Sequence, residues 1–271
     1  MKPIIYEPTS ELMDFVKCYW TLESEKENTP VKNIIVPDGT MKLIFHYGEA
    51  YKHHPKNGES ITLPKYFLIG QLTQPYVVEP LGITGTFIVR FQPNGFLPFA
   101  TIPIKEMENT AIPLNKLFGK DGDDIGRNIL NANCTSKRIA LIETFLFNRL
   151  ADKNNIDKIV KSTVETILNA NGQFSIGELS KQNNINRRQL TRKFSSAIGL
   201  SPKQLSKTIR IQGTLKSLIT NDVNSLTDLA YQNNYFDQAH FIKDFKEFTG
   251  LTPKEFYGES LKMSLIFDGN I

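Results

Sequence analysis

Two stretches of this chain can be laid over one another: FSIGELSKQNNINRRQLTRKFSSAIGLSPKQL from Phe174, and NSLTDLAYQNNYFDQAHFIKDFKEFTGLTPKEF from Asn224. Ile176 faces Leu226, Leu179 faces Leu229, Ser180 faces Ala230 and Asn184 faces Asn234. After one inserted residue, Leu190 faces Phe241, Phe194 faces Phe245, Gly199 faces Gly250 and Pro202 faces Pro253. A chain patterned this way is expected to build one supersecondary unit twice.

Each copy opens with a short amphipathic helix whose inner face carries a small residue, Ser180 or Ala230, so that another helix can cross closely. Asn184 and Asn234 then fall where a tight helix-to-helix turn needs a left-handed backbone, which Asn tolerates best after Gly. A second helix follows, with Leu190 and Phe194, or Phe241, Phe245 and Phe248, on its apolar side, and stops at Gly199 or Gly250. Ser201-Pro-Lys-Gln204 and Thr252-Pro-Lys-Glu255 are both capping boxes with Pro at the first helical position. Helix, Asn turn, helix and Gly stop outline a helix-turn-helix, whose second helix enters the DNA major groove. From Asn186 to Lys216 the chain carries Arg187, Arg188, Arg192, Lys193, Lys203, Lys207, Arg210 and Lys216 and no Asp or Glu, a distribution that attracts a polyanion.

The rest of the chain has a different grain. At 271 residues and 40% hydrophobic it has material for two domains, and its net charge of +4 is only mildly basic. YWTL, KNIIV, MKLIFHY, KYFLIG, PYVVEP and TGTFIVRF, between Tyr19 and Gln92, read as short strands. Asp38-Gly39 between two apolar runs predicts a hairpin. Cys18 and Cys134 are too few for a disulfide scaffold and are expected as small buried residues. Two amphipathic helices follow. Thr135 to Leu150 puts Ile139, Ile142, Phe145, Leu146 and Leu150 on one face, and Ile156 to Leu168 repeats the pattern. Leu141 and Phe147 lie off that face, which makes the first a candidate dimerisation helix. NANGQ, Asn169 to Gln173, interrupts the pattern and marks a boundary. The expected class is α+β: a β-rich sandwich or cupin-like barrel over 1–100, a helical connector over 101–170, an all-α pair of helix-turn-helix units over 171–260, and a tail over 261–271. No apolar run approaches the roughly 20 residues that cross a bilayer. Glu and Pro interrupt MKPIIYEPTSELMDF where a signal peptide needs an apolar core, so the expected location is cytoplasmic.

LTRKFSSAIGLSPKQL, IRIQGTLKSLI and LAYQNNYFDQAHFIKDFKEFTGLTPKEF, in that order, resemble the AraC/XylS family of bacterial transcription regulators over about Phe174 to Gly258. VPDGTMKLIFHYGE, IGQLTQPYVVEP and VRFQPNGFLPF are similar to an N-terminal domain found on some members. The resemblance implies base-facing positions at Arg188, Thr191 and Arg192 in the first unit, and at Gln238, Ala239, Ile242 and Lys243 in the second. Arg bonds guanine O6 and N7 together, Thr meets a base edge or a thymine methyl, and Gln reads adenine. Arg187, Lys193, Lys203, Lys207 and Arg210 are assigned to phosphate, which takes most protein contacts to DNA. Asp237, Asp244 and Glu247 beside the second recognition helix predict that the first unit dominates affinity. The implied partners are duplex operator DNA, RNA polymerase, a small-molecule effector and a second copy of the chain, with activation the family's commoner mode.

A metal-dependent cupin-like enzyme is the competing reading, because His46, Tyr47, Glu49, His53 and His54 lie close together. Adjacent His53 and His54 would point to opposite faces of a strand, and YKHHPKNGES looks like a polar turn. Neither KCYW nor NCTS provides the activated thiolate of an alkyl-transfer protein, and no P-loop, GxSxG or GxGxxG context occurs. No catalytic residue, metal ligand or cofactor is therefore assigned. Tyr47, Tyr66, Phe67, Phe87 and Phe91 are candidates to line an apolar pocket, with core packing the alternative. A constitutive regulator whose first domain only dimerises is the third reading.

Overall fold

The computed structural model describes residues 3–24, 32–150, 157–219, 226–233, 235 and 237–259. Its first half contains two antiparallel sheets. Strands β1 (Ile4–Tyr6), β2 (Val16–Glu23), β4 (Lys42–His46), β7 (Tyr66–Ile69), β9 (Gly85–Phe91) and β10 (Ala111–Pro113) form one, in the order β1-β2-β9-β4-β7-β10. Strands β3 (Asn33–Ile35), β5 (Tyr51–His54), β6 (Ile61–Thr62) and β8 (Tyr76–Pro80) form the other, in the order β3-β8-β5-β6. Neither closes on itself, so the β-rich half is a sandwich.

The six-stranded sheet is buried on both sides, which explains why its central strands are apolar almost throughout. Leu43 and Phe45 of β4 and Phe87, Val89 and Phe91 of β9 face one way. There they meet Leu114 and Leu117 of helix α1 (Leu114–Phe118), Ile125 and Ile129 of α2 (Lys120–Asn131), and Ile142 and Leu146 of α3 (Thr135–Arg149). Ile44, Ile88, Phe67 and Trp20 face the other way, towards Tyr51, Tyr76 and Val78 of the four-stranded sheet.

The hairpin expected at Asp38-Gly39 does not form. β3 pairs with β8 while β4 pairs with β7 and β9, so the segment between them crosses from one sheet to the other. Asp38 is buried beneath that crossing: its carboxylate accepts from Thr40 N at 3.1 Å, Lys42 Nζ at 2.9 Å and Arg90 Nη2 at 2.9 Å. Lys42 and Arg90 stand opposite one another across β4 and β9, and Asp38 is the anion that lets two cations share the site. Gly39 does adopt positive φ, +72°, and a β-carbon there would lie 2.5 Å from Leu205 Cδ1. The glycine lets the crossing meet the helical half of the molecule.

Two other expectations change. YKHH is strand β5, because β8 supplies its ladder partners. Cys18 is buried, but Cys134 is exposed and precedes α3 as its N-cap residue. On α3, Leu141 packs against the core and Phe147 stays exposed, a smaller apolar surplus than the sequence pattern implies.

The helical half comprises α4 (Lys158–Asn169), α5 (Ile176–Gln182), α6 (Arg187–Ile198), α7 (Pro202–Ile219), α8 (Leu226–Gln232), α9 (Gln238–Thr249) and α10 (Pro253–Glu259). Val160, Val164 and Ile167 of α4 form one apolar cluster with Phe194, Ile198, Leu200 and Leu205, so among the described residues α4 shares its apolar face with the first helix-turn-helix. The second cluster gathers Ile211, Leu215 and Leu218 of α7 with Leu229, Phe241, Phe245 and Phe256. The tail assigned to 261–271 lies outside the described residues.

Candidate nucleic-acid interface

The turn between α5 and α6 is built as its sequence demands. Asn184 has φ +55° and its N–H bonds Lys181 O, while Ile185 N bonds Ser180 O. Tyr235 N bonds Ala230 O in the same way in the second unit, where Asn234 lies outside the described residues. The Asn before each turn residue closes the helix end. Asn183 Nδ2 donates to Leu179 O and Asn233 Nδ2 to Leu229 O, each at 2.9 Å, a second bond to a carbonyl that already accepts the same residue's backbone N–H. Asn184→Ala is expected to cost about 1 kcal/mol, because alanine pays the full left-handed penalty, while Asn184→Gly should be close to neutral. Thermal denaturation of the pair checks this.

Asn186 caps α6 by accepting from Gln189 N at 2.8 Å, and the Gln189 side chain returns the bond to Asn186 N, a capping box the sequence reading missed although NRRQ fits the pattern. The boxes expected at Ser201 with Gln204 and at Thr252 with Glu255 form, and Gly199 and Gly250 close α6 and α9 at φ +83° and +80°.

These caps fix which side of α6 faces out. Leu190, Phe194 and Ile198 are buried, leaving Arg188 and Arg192 exposed and Thr191 half-buried on the opposite face, at i, i+3 and i+4. With Asn186, Gln189 and Ser195 they border one open surface concavity. Arg187 is also exposed, but its guanidinium lies over α5 at Gly177. In the second unit Gln238, Ala239 and Lys243 are exposed, whereas Ile242 leans on the core cluster.

The residues assigned to phosphate divide. Lys203 is exposed, and Lys193 pairs with Asp157, the N-cap of α4. Lys207 bridges to Asp244 and Glu247 at 2.9 Å each, and although burial opposes it, these two carboxylates hold its ammonium above its ordinary pKa. Arg210 lies over the Tyr235 ring at 5.3 Å with its Nε buried. Lys207 and Arg210 thus tie α7 to the second unit, and the acidic residues of α9 are largely occupied: Asp244 and Glu247 by Lys207, and Asp237 by capping His240 N.

Gly213 sits in the middle of α7 without interrupting it, and a β-carbon there would come within 3.3 Å of Asn233 Oδ1. The glycine makes room for the second turn. At 18 residues α7 is about 27 Å long, near the roughly 34 Å turn of B-DNA.

A helix-turn-helix domain family matches residues 179–258. This segment is an AraC-type helix-turn-helix domain. Residues 4–113 match a second family, described as a domain of unknown function. An uncharacterized HTH-type transcriptional regulator of Staphylococcus aureus is 30% identical over 105 residues, 39% of this chain, and the chain spans 14% of that relative's length. The Msm operon regulatory protein of Streptococcus mutans is 25% identical over 122 residues, 44% of each chain. Among solved structures, ToxT of Vibrio cholerae aligns with a TM-score of 0.49 at 13% identity, covering 89% of this chain and 98% of its own.

The AraC-type domain is seated on the β-rich half through α7. Gln212 Nε2 donates to Pro37 O at 2.7 Å, Val36 joins the cluster of Ile211, Leu215 and Leu218, and Gly39 abuts Leu205. Gln71, fully buried, donates from Nε2 to Gly39 O. No sequence signal announced this contact, since VPDG carries only turn chemistry.

The histidines considered as metal ligands part company. His46 points between the sheets, His53 stacks on Tyr76 with ring centroids 3.7 Å apart, and His54 pairs with Glu79 at 2.6 Å. Among the described residues, no three His, Cys, Asp or Glu side chains are grouped to hold a metal ion. Of the five aromatic residues considered for a pocket, Phe67 borders the space between the sheets; Phe87 and Phe91 are core, and Tyr47 and Tyr66 pack at its edge.

Proposed function

We propose that the chain is a cytoplasmic, sequence-specific DNA-binding transcription regulator, with α6 and α9 entering successive major grooves on one side of the duplex. The observation that carries this reading is the AraC-type domain whose first recognition helix presents Arg188, Thr191 and Arg192 together on an exposed face within a segment free of acidic residues. In this reading those three and Gln238, Ala239 and Lys243 meet bases, Ile242 contributes only an edge, and Arg187, Lys193 and Lys203 meet phosphate. Lys207 and Arg210 support the reading better as braces between α7 and α9. The β-rich half is its control module, seated on the helix that spaces the two readers, and the helical unit begins at α4.

Selection from a random duplex library, followed by titration of the best site against scrambled DNA at fixed salt, tests this. Two recognition elements about one helical turn apart are the expected result. Binding that is only non-specific and vanishes by physiological salt would remove the proposal.

A further inference from the structure

The two copies of the repeat end their recognition helices on equivalent glycines, and both glycines meet one short stretch of the β-rich half. A β-carbon on Gly199, which closes α6, would lie 3.4 Å from Gln71 Cγ and 3.0 Å from Ile104 Cγ2. A β-carbon on Gly250, which closes α9, would lie 3.7 Å from Pro75 Cγ. Gln71 and Pro75 are the two ends of QLTQP, the connection between β7 and β8.

This connection is held firmly. Gln71 is fully buried and donates from Nε2 to Gly39 O, beside Leu205 of α7. Thr73 N donates to Asn109 Oδ1 at 2.9 Å, and Thr73 Oγ1 donates to Glu108 Oε1 at 3.1 Å while accepting from Asn109 Nδ2 at 2.7 Å. Asn109 N donates in turn to Gln71 O at 2.9 Å, with Asn109 at φ +53°, a conformation that Asn tolerates. Glu108 and Asn109 follow directly on the 3₁₀ turn Ile104–Met107, which supplies Ile104. The two stretches thus make one block that touches the end of α6, α7 through Gly39, and the end of α9.

Within the helical half the two apolar clusters meet along α7. Leu205 and Ile209 belong to the first, and Ile211, Leu215 and Leu218 to the second. Two bodies joined along a single helix can still rock about it, and Gly213 has no side chain to stiffen that helix. One base pair of duplex corresponds to about 3.4 Å along the axis and about 35° around it, so slight rocking suffices to change the spacing that is read. A second connection between the units closes a ring of contacts and removes this freedom.

We propose that Gln71–Pro75, held by Glu108 and Asn109, is a positioning element for DNA reading: it links the ends of α6 and α9 and so fixes the separation of the two recognition elements that the chain accepts. It acts through the helices whose ends it holds and not by touching DNA. The consequence for DNA rests on the reading of the chain as a regulator with two reading helices; the link between the units does not.

The test uses the full chain and two variants. Asn109→Gly keeps the left-handed backbone and removes the side-chain bonds to Thr73, and Pro75→Gly removes the contact with the end of α9. Both positions are partly exposed, so both variants should fold. Inserting one base pair between the two elements of the selected site should weaken binding by the parent about tenfold or more, because the units no longer engage together, and by each variant about threefold or less. A duplex carrying only the first element should bind all three chains equally. An insertion penalty that is the same in parent and variants, whether large or absent, overturns the proposal, because α7 alone then governs spacing. Loss of single-element binding in the variants also overturns it, because the segment then supports the fold of the first unit.

A second measurement needs no DNA. Spin labels at Lys181→Cys and Tyr231→Cys, exposed and equivalent positions on α5 and α8, are introduced with Cys134→Ser, Cys18 being buried. The parent should give one narrow distance and both variants a broadened distribution, and identical distributions overturn the link itself. Should the chain select no DNA site at all, the regulator reading falls, while the label distances still decide whether the segment joins the two units.

Discussion

Asp38→Ala is expected to destabilise the protein by about 3–5 kcal/mol, the usual consequence of removing one partner from a buried ionic cluster. Lys42 and Arg90 would face one another across β4 and β9 with no anion between them, and Thr40 N would lose its acceptor. Burial alone would raise the Asp38 pKa, but Lys42 and Arg90 outweigh it and hold the carboxyl far below its ordinary 3.8. A depressed folded-state pKa contributes stability that is complete above the unfolded value and is lost as pH falls from 3.8 towards the folded value. Urea denaturation of the parent chain should therefore show the Asp38 contribution intact at neutral pH and eroding only in strong acid, whereas Asp38→Ala should lack it throughout. A penalty below about 1 kcal/mol at neutral pH would mean that the cluster is solvated.

The second large effect is at the DNA surface. Arg192→Ala should weaken binding to the selected site by about 10- to 100-fold, the equivalent of about 1–3 kcal/mol for a lost bidentate contact to guanine, and should relax the sequence preference at that position. Lys243→Ala should have a smaller effect, again seen as a relaxed preference at the base position it meets. With Asp244 and Glu247 engaged by Lys207, the second unit is less repulsive to phosphate than its composition implies, so Lys207→Ala should weaken binding through α9 by freeing two carboxylates. Equal losses for Arg192→Ala and Lys243→Ala would show that the first unit does not dominate.

What could be read from the sequence was local. Asn184, Gly199 and the box of Ser201 with Gln204 act within four residues of themselves, so type and spacing specify the geometry. The strands read from YWTL, MKLIFHY and TGTFIVRF were equally plain, because burial on both faces leaves an apolar run. What escaped depends on partners distant in sequence. Asp38-Gly39 has hairpin chemistry, and only Lys42, Arg90 and Leu205 turn it into a crossing between sheets. YKHH becomes a strand because β8 lies beside it. Lys207 and Arg210 are basic residues in a basic stretch, and nothing nearby in the sequence shows that Asp244, Glu247 and Tyr235 will claim them. The base-facing positions came from family resemblance, and packing adds only that Ile242 leans on the apolar cluster while Arg188 and Arg192 stand exposed.

The placement of α4 sets how the molecule can be divided. A fragment cut at Asn171, where the helical pattern breaks, would leave Phe194, Ile198, Leu200 and Leu205 without the cover of Val160, Val164 and Ile167. Exposed apolar surface of that kind invites aggregation. An autonomous DNA-reading fragment therefore needs to begin ahead of Asp157, so that the N-cap of α4 and its tie to Lys193 travel with the first unit.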